Sequence, residues 1–260
     1  MRHAAARDID ALIDAWRILG WPFRARPELI GALPGGRSNH SYLLEADGRR
    51  CVLRVGGAEP AAPGIDRTRE AEIVAAAAAA GLAPPLLHAD LGRDLFLTAV
   101  VDGPLLTAAD LDRPLRHALL DGLAQVHALP VSAARLDYRA HYRALGRLAG
   151  ALTTDLPSDL ERRLERLEQA CDRGLCHHDP GPGNVLVQNG RPIFIDWEYA
   201  APGLPVFDLA VLVCDWQMPL AEVSAHTGVA PELIEDACAL YNLLCSWWTC
   251  SRGAPSIKSS

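Results

Sequence analysis

The spacing of apolar positions changes twice along the chain, and each change marks a boundary. Residues 8–20 set Ile9, Leu12, Ile13 and Trp16 on one helical face, with Asp8 as cap and Gly20 as stop. That predicts a leading helix over about 8–20. From about Glu28 the period falls to two. The runs 41–46 and 50–55 flank Asp47-Gly48, a pair suited to the left-handed backbone of a two-residue hairpin turn. A long Ala-rich helix is predicted over about 66–80, closed by Gly81. Strand-like runs near 86–89 and 94–101 follow, around a turn at 91–93, until Asp102-Gly103-Pro104 breaks the pattern.

Beyond that break the helical period returns at 114–128, 138–152 and 156–171. One β interlude interrupts it: 184–188 and 191–195 flank Asn189-Gly190, the strongest short-range hairpin dipeptide. Helices resume near 206–216 and 231–249, and 251–260 reads as a frayed tail. No internal repeat is visible. The expected fold class is α+β in two lobes. Residues 1–102 form an antiparallel β-sheet lobe with one long helix, and residues 103–260 form a mainly helical lobe carrying a hairpin.

Half of the 260 residues are hydrophobic and 22% are charged, the balance of a globular chain able to bury a core. Lys+Arg 25 against Asp+Glu 32 leaves a net charge of −7. Without a dense Lys/Arg cluster the chain is a poor partner for nucleic acid, whereas an acidic balance tolerates a cationic substrate. Cys51, Cys171, Cys176, Cys214, Cys238, Cys245 and Cys250 are odd in number and contain no C-x-x-C pair. They read as reduced thiols rather than a disulfide framework or a zinc cage. The first ten residues lack the apolar core of a secretory signal. The most apolar stretch, 73–87, is mostly Ala and is cut by Gly81, Pro84 and Pro85, so it is no membrane span. The expectation is a cytoplasmic protein with no nucleic-acid or membrane partner and no obligate protein partner.

The chemistry concentrates in 175–184, Leu-Cys-His-His-Asp-Pro-Gly-Pro-Gly-Asn. Pairing Gln188 with Arg191 puts Val185 opposite Phe194 and Asn184 opposite Ile195. Asn184 and Asp196 then meet at the open end of the hairpin, with Asp179 one loop away. An amide oxygen beside two carboxylates makes a hard-oxygen site suited to Mg²⁺ and its phosphates. A nearby carboxylate can accept a hydroxyl proton during phosphoryl transfer. The spacing His177-x-Asp179-x₄-Asn184, followed by Asp196, is that of a kinase catalytic loop. The plainer alternative is an ordinary polar loop in which Asp179 caps a turn.

In the amino-terminal lobe, Gly35, Gly36, Ser38 and Asn39 lie in a turn between strand-like runs, where backbone amides can approach phosphates unobstructed. Register across Asp47-Gly48 puts Arg54 opposite Ser41, near that turn, where its guanidinium can grip phosphate oxygens with two parallel hydrogen bonds. Glu70, in the first turn of the long helix, can orient Arg54 as an ion pair. Alone, a Gly-Gly turn is a plain strand connection, and charges at a helix start are commonly solvated.

Together these features resemble the aminoglycoside phosphotransferase / choline kinase superfamily, the small-molecule branch of the protein-kinase-like fold. The resemblance covers roughly 33–216 and rests on LPGGRSNHSYLL, CVLRV, REAEIVAAAAAAGLAPPLL, FLTAVVDG, LAQVHALP, HHDPGPGNVLV, FIDWEYA and FDLA. It implies ATP and Mg²⁺ as cofactors, Asp179 as catalytic base, Asn184 and Asp196 as metal ligands, and Arg54–Glu70 as the phosphate grip. It also implies that backbone groups of Val100, Val101 and Asp102 hold the adenine, that His177 and Asp208 support the catalytic loop, and that His127 is a packing residue. Two departures matter. Arg54 stands where many members have Lys, as in choline-kinase-like members. Asp196-Trp197-Glu198 replaces Asp-Phe-Gly, and only about a dozen residues separate Asp196 from Asp208, too few for an activation loop on which a protein substrate would dock.

The implied partner is a small-molecule alcohol. Trp197, Tyr199, Trp216, Trp247 and Trp248, with Glu198 and Asp215, have the composition of an aromatic, acidic cage for an ammonium or thiazolium-type cation. The competing reading buries those tryptophans in the core. IDWEYA is similar to bacterial choline, ethanolamine and thiamine kinase-like members, which puts a cationic alcohol first. An aminoglycoside or other sugar hydroxyl comes second, and a nucleotide-binding pseudokinase module third.

Overall fold

Asp8 caps the first helix, α1 (Ile9–Asp14), by accepting from the amides of Asp10 and Ala11 at 3.1 and 3.3 Å. A computed structural model describes residues 8–34, 39–57, 62–151 and 153–251. The helix is shorter than the predicted 8–20, because residues 15–20 coil in turns. Trp16, Leu19 and Trp21 are all buried, yet positions 16 and 21 would lie roughly 140° apart on a regular α-helix. Turning the chain lets all three reach the sheet, where they meet Leu44, Leu53, Val55, Leu95 and Leu97.

That sheet consists of β1 (Glu28–Ala32), β2 (Asn39–Ala46), β3 (Arg49–Gly56), β4 (Leu86–Asp90) and β5 (Leu95–Ala99), with α2 (Arg67–Ala79) between β3 and β4. Its order is β1-β2-β3-β5-β4 and every pairing is antiparallel. The β2–β3 turn is Asp47 (φ 52) and Gly48 (φ 70), the left-handed pair that a two-residue hairpin needs. It fixes Ser41 opposite Arg54, the register the sequence predicts. Asp66 caps α2 through the amides of Thr68 and Arg69, at 2.9 and 3.1 Å.

The chain divides into two compact units, Met1–Asp102 and Gly103–Ser260. The second contains α3 (Arg113–His127), α4 (Tyr138–Leu148), α5 (Ser158–Ala170), β6 (Gly174–Cys176), β7 (Val185–Gln188), β8 (Arg191–Phe194), β9 (Ala201–Gly203), α6 (Val206–Cys214), α7 (Leu220–Thr227) and α8 (Pro231–Ser251). The β7–β8 hairpin turns on Asn189 (φ 53) and Gly190 (φ 75), with Gln188 opposite Arg191 and Val185 opposite Phe194. Helix α3 lies against this hairpin at Gly122, where a Cβ would stand 2.5 Å from the Pro192 ring. Buried Asp236 on α8 accepts ion pairs from Arg163 (2.7 Å) and Arg166 (2.9 Å) of α5.

Four further features differ from the sequence expectation. The helix predicted to 152 stops at Leu148, ahead of Gly150 at φ 68, and the one predicted to 216 stops at Cys214. Helix α7 and the three-residue pair β6–β9 were not predicted, since both are too short to show a period. No helix among the described residues is long and apolar enough to cross a membrane.

Candidate active site

The β7–β8 register carries through to the open end of the hairpin: the amide of Ile195 donates to the Asn184 carbonyl at 2.9 Å, which sets Asp196 one residue beyond. Asn184 Nδ2 donates to both the carbonyl and Oδ2 of Asp179, each at 3.0 Å. With its NH₂ committed, Asn184 turns its Oδ1 away from Asp179 as an available oxygen donor. Burial pushes the Asp179 carboxyl up to about 8. The negative charges of Asp196, Asp215 and Glu198 add to this, against the lowering effect of the Asn184 hydrogen bond.

His177 is fully buried and ties the two segments together. The Asp179 amide approaches its Nδ1 at 3.3 Å, so Nε2 carries the proton and donates to the Ile195 carbonyl at 3.1 Å. Burial lowers its pKa to about 4, which keeps the ring neutral. Asp208, on the first turn of α6, accepts the His177 amide on Oδ2 (2.9 Å) and the His178 amide on Oδ1 (2.7 Å). His127 Nε2 lies 3.0 Å from Oδ2. Burial alone would raise the Asp208 pKa, but the His127 hydrogen bond holds it below the ordinary carboxylate range. His127, read from the sequence as packing, is therefore a polar partner of the loop support.

Mg²⁺ fits this donor set. Among the described residues no group of three or more His, Cys, Asp or Glu forms a metal cage. The segment instead offers one amide oxygen and one carboxylate, Asn184 and Asp196, near the acidic side chains whose charge raises the Asp179 pKa. Mg²⁺ keeps several waters and is held by one or two protein oxygens plus substrate phosphates, which is what this set can supply.

The aromatic residues divide. Trp197 and Trp216 are each 2% exposed, and their indole N–H groups donate to the carbonyls of Phe194 (2.9 Å) and Pro180 (2.7 Å). Both belong to the core, the alternative the sequence left open, and neither is a wall of a cage. Tyr199 and Trp248 are half-buried and meet edge to face at 6.2 Å beside buried Glu198. Asp215 accepts the Tyr241 hydroxyl at 2.6 Å.

In the amino-terminal unit, Arg54 forks onto Glu70. Nη2 donates to Oε2 at 2.9 Å and Nη1 to Oε1, while the guanidinium lies 4.4 Å from the Phe96 ring centre. Glu70 is 1% exposed, whereas Glu72 two positions on is exposed. Arg67 also pairs with Glu70 (2.7 Å) and Asp94 (2.8 Å) and donates to Asn39 Oδ1 at 3.2 Å. Thus the side chain of Asn39, a sequence candidate for phosphate contact, is turned to Arg67. The sequence did not single out Arg67 or Asp94 for this network. The one available signal was the i,i+3 spacing of Arg67 and Glu70. Gly35, Gly36 and Ser38 lie outside the described residues. The Val100 amide donates to the Arg50 carbonyl at 3.3 Å, and Asp102 pairs with Arg50 on the surface at 3.1 Å, leaving Val101 between them.

The strand order of the sheet and the hairpin-borne loop define a protein-kinase-like fold. Residues 29–241, over four-fifths of the chain, match the model of the phosphotransferase enzyme family, and the chain belongs to that family. A solved structure of choline kinase LicA from Streptococcus pneumoniae superposes with TM-score 0.72 at 19% identity, over 95% of this chain and 92% of that one. A choline/ethanolamine kinase family protein from Mesorhizobium loti gives 0.67 at 23% identity, over 92% and 83%. An aminoglycoside phosphotransferase in ternary complex with AMP-PNP and hygromycin B gives 0.61 at 20%, over 87% and 88%. In sequence, the LicA protein of Haemophilus influenzae is 47% identical over 38 residues, 15% of this chain and 14% of that protein's length.

Proposed function

We propose that the protein is an ATP- and Mg²⁺-dependent kinase that moves the γ-phosphoryl group to the hydroxyl of a small cationic alcohol of the choline, ethanolamine or thiamine type. The observation that carries the reading is the double hydrogen bond from Asn184 to Asp179 at the open end of a hairpin whose register delivers Asp196. In this reading Asp179, in its deprotonated form, accepts the proton of the acceptor hydroxyl as that hydroxyl's oxygen bonds to the γ-phosphorus and the bond to the β–γ bridging oxygen breaks, releasing ADP. Asn184 and Asp196 hold the ion, which when bound neutralises phosphate charge. Asn184 also orients the base, and His177 and Asp208 keep the loop in place. Arg54, oriented by Glu70, grips phosphate oxygens, and the backbone of Val100, Val101 and Asp102 takes the adenine.

The nucleotide assignment is supported by a LicA structure in complex with AMP, which shares the fold at TM-score 0.66. The cationic acceptor is supported by the half-buried Tyr199–Trp248 pair beside Glu198, and by the choline and ethanolamine kinases among the similar folds. The test is ADP release from Mg-ATP with choline, ethanolamine, thiamine or hygromycin B. Turnover with one of the first three is expected. Turnover with hygromycin B alone would move the assignment to sugar hydroxyls, and nucleotide binding without turnover on any acceptor would make the protein a binding module.

The phosphate grip has its own test. Arg54→Lys keeps the charge but loses the planar fork, and is expected to weaken Mg-AMP-PNP binding by about tenfold, one charge-assisted hydrogen bond. Calorimetry measures it; unchanged affinity would remove Arg54 from the phosphates.

A further inference from the structure

His178 precedes Asp179 with φ 64, a left-handed backbone that is uncommon for any residue bearing a Cβ. A loop that needed only to turn here would be served by glycine. The imidazole is instead fully committed. The Tyr199 carbonyl can only accept, so His178 Nδ1 carries the proton and donates to it at 3.2 Å, leaving the lone pair on Nε2. Nε2 takes the proton of the Tyr138 hydroxyl, 3.0 Å away, whose oxygen in turn accepts the Leu204 N–H at 2.9 Å. Phe207 stacks on Tyr138 at 4.5 Å and fixes that ring. The approach also requires Gly203: a Cβ there would stand 2.5 Å from the Tyr138 hydroxyl and 3.0 Å from His178 Nε2.

The two histidines therefore make parallel ties. His177 reaches the carbonyl of Ile195 and His178 that of Tyr199, so their partners lie on either side of Asp196. Both backbone amides are held by the one Asp208 carboxylate. Resting on the phosphotransfer reading above, we propose that His178, its tautomer set by the Tyr199 carbonyl and its Nε2 held by Tyr138, is a positioning residue that fixes Asp179 relative to the 195–199 segment. Burial keeps both groups in these roles through the neutral range, with the imidazole pKa lowered to about 4 and the phenol well above its usual value.

The experiment compares ADP release from Mg-ATP, with water and with choline as acceptors, in wild type, Asp179→Asn, His178→Gly and Tyr138→Phe. His178→Gly removes the ring while permitting the backbone angle, so the unit is expected to fold. Its kcat should fall by about tenfold to a hundredfold with KM for ATP unchanged, the signature of misplacement rather than lost binding. Tyr138→Phe should lower kcat in the same direction. ¹⁵N spectra should show His178 with a bare Nε2 in wild type and a changed ring signal in Tyr138→Phe. ADP release lost in Asp179→Asn but kept at the wild-type rate in His178→Gly overturns the positioning role alone, as does a protonated Nε2. ADP release identical in wild type and Asp179→Asn overturns this proposal together with the phosphotransfer reading.

Discussion

Asp179→Asn is expected to bind Mg-AMP-PNP with nearly wild-type affinity and to lose phosphoryl transfer by about 10²–10⁴-fold, the usual contribution of a positioned general base. The substitution changes little in shape. Asn184 Nδ2 still finds the Asp179 backbone carbonyl and a side-chain oxygen, so the loop geometry survives. What disappears is the only group on that side chain able to take a proton. The measurement is a pair of curves: a nucleotide titration by calorimetry, and ADP release with the acceptor that the panel identifies. Asp196→Ala should give the opposite split, in which nucleotide affinity no longer responds to Mg²⁺. Wild-type turnover in Asp179→Asn would reject the assigned base, and intact Mg²⁺ dependence in Asp196→Ala would reject the assigned ligand.

The two assignments differ in how far they were legible in the sequence, and the difference is one of range. Asn184 and Asp196 could be placed together because Asn189-Gly190 dictates a two-residue turn, and a strand's period of two then propagates register outward without tertiary information. The same logic set Arg54 opposite Ser41. The fold class followed from two changes of apolar period, which is a local property. By contrast, the support of the loop spans 81 residues from His127 to Asp208 and 40 from Tyr138 to His178, and no local pattern encodes such a pairing. Asp208 entered only through a family resemblance. His127 was taken as a packing group because a lone histidine on a helical face carries no mark of its partner. The tryptophans show the converse problem. Composition announced an aromatic cluster, but only packing separates buried Trp197 and Trp216 from half-buried Trp248. The residues 15–20 are a third case, in which tertiary demand for Trp16, Leu19 and Trp21 overrode a helical pattern.

The second large effect is expected at Asp208, which is fully buried and touches neither nucleotide nor acceptor in this assignment. Asp208→Ala leaves the amides of His177 and His178 without an acceptor and strips His127 Nε2 of its partner. Two orphaned buried donors and a lost charged partner cost on the order of 3–5 kcal/mol. For a chain of this size that lowers the thermal midpoint by on the order of 10 °C. Asp208→Asn should not rescue it, because the site demands two acceptor oxygens and an amide would turn an NH₂ toward an N–H donor. The pH dependence gives a sharper check. The folded-state pKa of Asp208 lies below its unfolded value. Its stabilisation is therefore complete above the unfolded pKa of about 3.9 and is lost as pH falls through the folded value. The gap between wild type and Asp208→Ala should stay constant from neutral pH down to about 5 and narrow only below about 4. Thermal melts across that range measure it. A gap that instead collapsed between pH 6 and 7 would mean that histidine protonation, and not the Asp208 carboxylate, holds the loop.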